Sequence, residues 1–276
     1  MIVTLHGFLG APSLWQTTFA QPALASLAVT HRWLPGHGPE PWLPADAAHA
    51  SFDAIVDAVA ATLPAGATLV GYSLGARLAL GLVARHPRAI AGAVLIGPHP
   101  GLSDAAERAE RQRWDEGQAA EIEHDGLASF AERWAALPLF ATQASAPERE
   151  RARQQAARRD HRPDAVAWAM RALGLGRMPD YGRQLAQATT LPPVTLITGA
   201  LDEKFTRLAA SAVTRWRGAR HAVVAGAGHN VPLEAPEALA EALRATRTLL
   251  HDTPARERGR DDDLTARGDG SSASKP

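Results

Sequence analysis

No cysteine occurs anywhere in this chain, which excludes disulfide frameworks and thiolate metal sites. Basic and acidic residues cancel, 29 against 29, so no broad cationic footprint for nucleic acid is expected. No run approaches the roughly 18 consecutive apolar residues of a membrane span. Met1-Ile2-Val3-Thr4-Leu5 enters a strand-like segment with no basic leader before it, so a soluble cytoplasmic protein is expected. The eleven histidines are scattered and form no H-E-x-x-H or H-x3-H pair, so no metal is implied. What remains is a 276-residue chain long enough for one large α/β domain with an insertion.

Short apolar runs at Ile2 to Leu5, Ala67 to Val70, Ala93 to Ile96, Val194 to Thr198 and Ala222 to Val224 read as strands. Helical patterns such as Phe52 to Leu63 and Ala76 to Arg85 alternate with them. That alternation predicts a mostly parallel sheet with helices on both faces. Residues 102–188 break it with a helix-rich stretch of Arg, Glu, Trp and Ala. This stretch is expected to form a cap over the carboxyl ends of the strands, inserted into a core made of residues 1–101 and 189–251. Residues 252–276 are charged, then Gly/Ser-rich, and are expected to be disordered. Their Arg267-Gly268-Asp269 tripeptide reads as chance.

Gly71-Tyr72-Ser73-Leu74-Gly75 lies between an expected strand and an expected helix. In that context G-x-S-x-G is a nucleophile elbow, whose glycines permit a turn tight enough to lift the serine hydroxyl clear of the sheet. A serine needs a histidine to take its proton and a carboxylate to hold that histidine. Asp202 follows the strand Leu196-Ile197-Thr198-Gly199, and His229 follows Val223-Val224 on a small-residue loop. Ser73, Asp202 and His229 thus come in the chain order of an α/β-hydrolase triad. Leu5-His6-Gly7-Phe8-Leu9-Gly10 leaves the first strand as an H-G-x-x-G loop. The backbone N–H groups of Phe8 and Leu74 are the expected oxyanion hole. His6 is the alternative base, and its place inside that loop favours His229 instead.

Together these segments resemble the α/β-hydrolase superfamily over nearly all of residues 1–251. Finer features are similar to one branch, the 2-succinyl-6-hydroxy-2,4-cyclohexadiene-1-carboxylate synthases of menaquinone biosynthesis. They are Leu5-His6-Gly7-Phe8-Leu9-Gly10 with Trp15, Pro35-Gly36-His37-Gly38, Gly75-Ala76-Arg77, Glu107-Arg108-Ala109-Glu110-Arg111, Phe130-Ala131-Glu132-Arg133-Trp134 and Asp202-Glu203-Lys204-Phe205. The resemblance implies substrate contacts at Tyr72, Arg77, Arg111, Trp134 and Arg158, with Arg159 adjacent to the last. It implies a small-molecule substrate bearing carboxylates, no cofactor and no protein partner.

Arginine forks suit such a substrate, because they bind carboxylates bidentately and stay charged when partly buried. Arg-rich helices also pair their arginines with nearby Glu on solvated faces, and Trp134 equally fits the interior of the cap. Two reactions follow from one triad. In a lyase, the triad removes a ring proton alpha to the succinyl ketone of 2-succinyl-5-enolpyruvyl-6-hydroxy-3-cyclohexene-1-carboxylate, and pyruvate leaves. In a carboxylesterase, Ser73 attacks an acyl carbonyl. A ligand-binding protein on the same scaffold is the non-enzymatic alternative.

Overall fold

The structure, a computed structural model, describes residues 1–251. The tail assigned to residues 252–276, with Arg267-Gly268-Asp269, lies outside the described residues.

Six strands form one sheet: β1 (Ile2–Leu5), β2 (Val29–Arg32), β3 (Ala67–Tyr72), β4 (Ile90–Ile96), β5 (Val194–Gly199) and β6 (Arg220–Val224). Their order is β2-β1-β3-β4-β5-β6, and all five pairings are parallel. In the central strands the apolar run is continuous, with Leu69, Val70, Leu95, Ile96, Leu196 and Ile197 buried. Parallel strands covered on both faces require such runs. β2 is the exception. Val29-Thr30-His31-Arg32 is a half-buried edge strand with no apolar run, held by the register Ile2 to Val29 through Leu5 to Arg32. Nothing in its sequence announces a strand, and its place beside β1 decides its conformation.

Helices pack on both faces. Chain order runs α1 (Gln16–Phe19), α2 (Phe52–Ala60) and α3 (Leu74–Arg85), then α4 (Ala105–Asp125), α5 (Leu127–Ala135), α6 (Glu148–Arg159), α7 (Pro163–Ala172) and α8 (Tyr181–Gln187). After β5 come α9 (Glu203–Val213), α10 (Val231–Glu234) and α11 (Pro236–His251). Side-chain caps start several of them: Ser51 Oγ accepts the Ala54 N–H, and Asp104 Oδ1 accepts the Glu107 N–H. One core joins Leu5, Ile55, Leu78, Leu82, Tyr181 and Trp216, while Trp15, Leu24, Ile96, Leu239 and Leu243 fill the opposite face.

Helices α4 to α8 all lie between β4 and β5. Ile122, Phe130, Val166 and Met170 from α4, α5 and α7 form a third apolar cluster around Leu9. This cluster seats the helical segment on the loop that leaves β1. Because every strand points the same way, the loops after β1, β3, β4, β5 and β6 gather on one edge of the sheet. Open parallel sheets place their ligands there.

Candidate active site

Ser73 sits between β3 and α3 with φ 51° and ψ −107°. Besides Leu9, at φ 54°, it is the only described non-glycine residue at positive φ. Both belong to this site, where strain is held by surrounding structure. The flanking glycines make the turn possible. A methyl on Gly71 would lie 2.5 Å from Gly75 O, and one on Gly75 would lie 2.5 Å from His6 O and nearer still to Leu5 O. Ala76, next along, is fully buried in the main core.

His229 Nε2 lies 3.2 Å from Ser73 Oγ, and His229 Nδ1 lies 2.7 Å from Asp202 Oδ2. The neutral tautomer that satisfies both contacts donates Nδ1–H to Asp202 and accepts the serine proton at Nε2. Asp202 Oδ1 also accepts the Phe205 N–H at the start of α9, at 3.3 Å. The carboxylate is therefore fixed by a helix terminus as well as by the imidazole. Phe205 lies over the His229 ring at 4.4 Å between centroids, and Gly97, at φ 57°, leaves room where a methyl would lie 2.9 Å from His229 Cε1.

Phe8 and Leu74 leave their N–H groups without an acceptor among the described residues, beside Ser73. The Gly7–Phe8 peptide is oriented from behind. Gly7 O accepts His6 Nδ1–H at 2.7 Å and the Gly10 N–H at 3.0 Å, so the Phe8 N–H points away from His6. His6 Nε2 accepts the Leu34 N–H at 3.2 Å. Both ring nitrogens of this fully buried residue are thus committed, and it is not available as a base for Ser73. His37 does similar work, accepting the Leu9 N–H at Nε2 and donating Nδ1–H to Pro35 O. Burial is the main cause that pushes His6 down to about 3 and His37 well below the usual imidazole value.

A cleft of about 370 Å³ opens over Ser73, lined by strand-end residues and by α4, α5 and α6. All five residues carried over by resemblance reach it. Tyr72 is buried with its ring against Gly7, and burial raises its phenol well above the ordinary value, so it remains a donor. Arg77 donates to Leu173 O at 2.9 Å and makes no ion pair among the described residues. Desolvation, then Arg111, lower Arg77 to about 9, which leaves it charged at neutral pH. Arg111 is held by Asp115 at 2.8 Å and stacks over Trp114 at 4.5 Å. Trp134 packs 5.0 Å from Phe8 and is both pocket wall and interior of the helical layer.

Arg158 is 6% exposed, 5.8 Å from the Phe140 ring, and pairs with no carboxylate among the described residues. Arg159, its neighbour, points outward near Glu132. Several other arginines of the helical segment are paired: Arg133 with Glu121 and Asp125, Arg171 with Glu116 and Glu123, Arg153 with Glu150.

Sequence reasoning missed His99, Phe205 as a wall of His229, and Glu234. His99 follows the end of β4 by three residues, the same strand-end position that exposed Asp202 and His229, and that was the available signal. Among the described residues no group of three His, Asp or Glu side chains is placed to hold a metal ion.

Comparison with known proteins agrees with this fold. The model of the "Alpha/beta hydrolase family" matches residues 2–242. The 2-succinyl-6-hydroxy-2,4-cyclohexadiene-1-carboxylate synthase of Serratia proteamaculans is 35% identical over 249 residues, covering 88% of this chain and 91% of the relative. The structure of MenH from S. aureus superposes with a TM-score of 0.82 at 25% identity, covering 91% of this chain and 94% of that one. A thermophilic esterase from Thermogutta terrifontis superposes at 0.71 with 19% identity over 91% and 90% of the two chains, a likeness of fold alone.

Proposed function

The chain belongs to the alpha/beta hydrolase family and groups within it with the 2-succinyl-6-hydroxy-2,4-cyclohexadiene-1-carboxylate synthases, and on that premise we propose that it is a lyase releasing pyruvate from 2-succinyl-5-enolpyruvyl-6-hydroxy-3-cyclohexene-1-carboxylate. The observation that carries this reading is the pair of deeply set guanidinium groups, Arg77 and Arg158, that line the cleft over Ser73 with no direct ion pair among the described residues, Asp115 near Arg77 being already committed to Arg111. A charge taken out of water without a counter-ion is costly. A substrate bearing several carboxylates supplies the missing partners, whereas an apolar acyl ester leaves both cations unmatched.

In this reading Ser73 Oγ, its proton passing to His229 Nε2, removes the ring proton alpha to the succinyl ketone. The electron pair of that C–H bond becomes an enolate, whose oxygen is received by the N–H groups of Phe8 and Leu74. The enolate then collapses: a ring double bond forms at the deprotonated carbon, the existing ring double bond shifts by one position, and its displaced electrons expel the ring C–O bond pair with the enolpyruvyl group. The departing pyruvate enolate takes back a proton. Asp202 keeps His229 in the productive tautomer and stabilises its cation meanwhile. Arg77, Arg111 and Arg158 hold carboxylates, and Tyr72 and Trp134 shape the cleft. No water enters the balance and no acyl-enzyme forms.

Pyruvate release from this substrate, followed beside hydrolysis of a short p-nitrophenyl ester, tests the proposal. Fast pyruvate release with negligible ester cleavage supports the lyase. Brisk ester cleavage without pyruvate makes the protein a carboxylesterase.

A further inference from the structure

The loop after β4, Gly97-Pro98-His99-Pro100-Gly101, brings an imidazole into the cleft that belongs to none of the groups already assigned. His99 is 9% exposed. Its Nδ1 accepts the Gly101 N–H at 3.2 Å, which places the ring proton on Nε2. Gly101 is fixed in turn: at φ 112°, a methyl there would lie 2.5 Å from Pro179 O. The Nδ1 contact is the one hydrogen bond of the His99 ring among the described residues, and the ring lines the cleft. Edge-on to His99, at 6.3 Å, stands Phe205, the same ring that covers His229.

Around this ring stand three cations. Arg77, Lys204 and Arg111 all disfavour a charge on His99, which burial alone already discourages, and together they hold it at about 3. The result is one neutral, orientation-fixed donor set among fixed positive charges. Cations suit carboxylates, and a neutral donor gains little by competing for them. It suits an uncharged oxygen lying between the anionic groups.

Resting on the lyase reading above, the substrate has three kinds of uncharged oxygen. The succinyl ketone is taken by the Phe8 and Leu74 N–H groups, and the enol-ether oxygen leaves with pyruvate. The ring hydroxyl remains. We propose that His99 is a specificity-determining residue that donates its Nε2–H to the ring hydroxyl of the substrate. The hydroxyl is retained in the product, so the contact is readable without turnover.

The test compares binding of two ligands by calorimetry: 2-succinyl-6-hydroxy-2,4-cyclohexadiene-1-carboxylate and its dehydrated aromatic counterpart, 2-succinylbenzoate, which lacks the hydroxyl. Their affinity ratio in the wild-type protein is the reference. His99→Leu is expected to shift that ratio against the hydroxylated ligand by about fivefold, the weight of one neutral hydrogen bond. His99→Gln, which restores a donor, is expected to recover most of it. In turnover, His99→Leu raises KM by a similar factor with kcat nearly unchanged. An unchanged ratio in His99→Leu, or an equal loss for both ligands, overturns the assignment and leaves the lyase reading intact. Wild-type protein that binds neither ligand overturns the lyase reading, and this assignment with it.

Discussion

The carboxylate of Glu234 brackets His229: its Oε2 accepts the Gly228 N–H at 2.7 Å and its Oε1 accepts the Asn230 N–H at 3.1 Å. The histidine is thus held from both sides by one side chain at the end of α10. Gly228 adds to the constraint, because a methyl there would run into Thr142 Oγ1. Glu234→Gln keeps the shape but turns one acceptor into a donor facing a donor. Losing one charge-assisted bond of this kind costs about 1.5–3 kcal/mol. The expected outcome is a fall of about tenfold or more in kcat with little change in KM, read from steady-state kinetics beside thermal unfolding.

Ser73→Ala removes the group that faces His229 Nε2 at 3.2 Å. Pyruvate release is expected to drop by about 10³-fold or more, while the unfolding transition stays cooperative and close to wild type. A variant that keeps most of its turnover would show that another group removes the proton.

Arg158→Leu and Arg77→Ala separate substrate binding from the triad. Each removes a cation that makes no direct ion pair among the described residues, and Asp115, which acts on Arg77 at longer range, keeps its bond to Arg111, so neither leaves an orphaned carboxylate behind. A lost bidentate arginine–carboxylate contact is worth on the order of 2–3 kcal/mol. A rise of about 30- to 150-fold in KM for the tricarboxylate substrate is expected, with kcat and the thermal unfolding transition close to wild type. A lowered unfolding transition with KM unchanged would assign these arginines to structure instead.

Acid is expected to weaken the fold through buried imidazoles. His6 is held at about 3 against an ordinary value of 6.5, mainly by burial, with His161 adding to the effect. His37 and His161 are lowered as well. Between those two values the unfolded chain binds protons that the native protein refuses, so stability rises with pH across the window and is lost as pH falls through it. Each such group contributes up to about 1.4 kcal/mol per pH unit. Urea unfolding between pH 4 and 6.5 should show a shallower slope, by up to one proton, for His6→Asn than for wild type. Identical slopes would mean that His6 takes up its proton in the native state too.

Much of this architecture was legible because steric necessity and sequence pattern coincide. Gly71 and Gly75 are required by contacts closer than a methyl allows, so the elbow announces itself in five residues. The central strands β1, β3, β4 and β5 were readable for the same reason, since a parallel sheet buried on both faces leaves no room for polar side chains, and β6, at one edge, showed through Ala222-Val223-Val224 alone. β2 was not readable, because a half-buried edge strand of Val29, Thr30, His31 and Arg32 carries no such pattern. Arg158 and Arg159 could not be ranked from the sequence; adjacent positions on one helix differ by a rotation of about 100°, and only packing tells which faces the cleft. His6 and His37 lay inside recognised motifs, yet which backbone groups they hold depends on a meeting of two loops 28 residues apart.

The helical layer that carries Arg111, Trp134 and Arg158 leaves the sheet after Ile96 and rejoins it at Val194, and these two strands are neighbours in register, with Ile96 opposite Ile197. Only two chain crossings therefore separate the layer that we propose selects the substrate from Ser73, Asp202 and His229. An exchange of that layer between relatives needs two junctions on adjacent strands and no rebuilding of the sheet. On the proposed roles, this seam is where new substrate preferences would be grafted while Ser73, Asp202 and His229 are inherited whole.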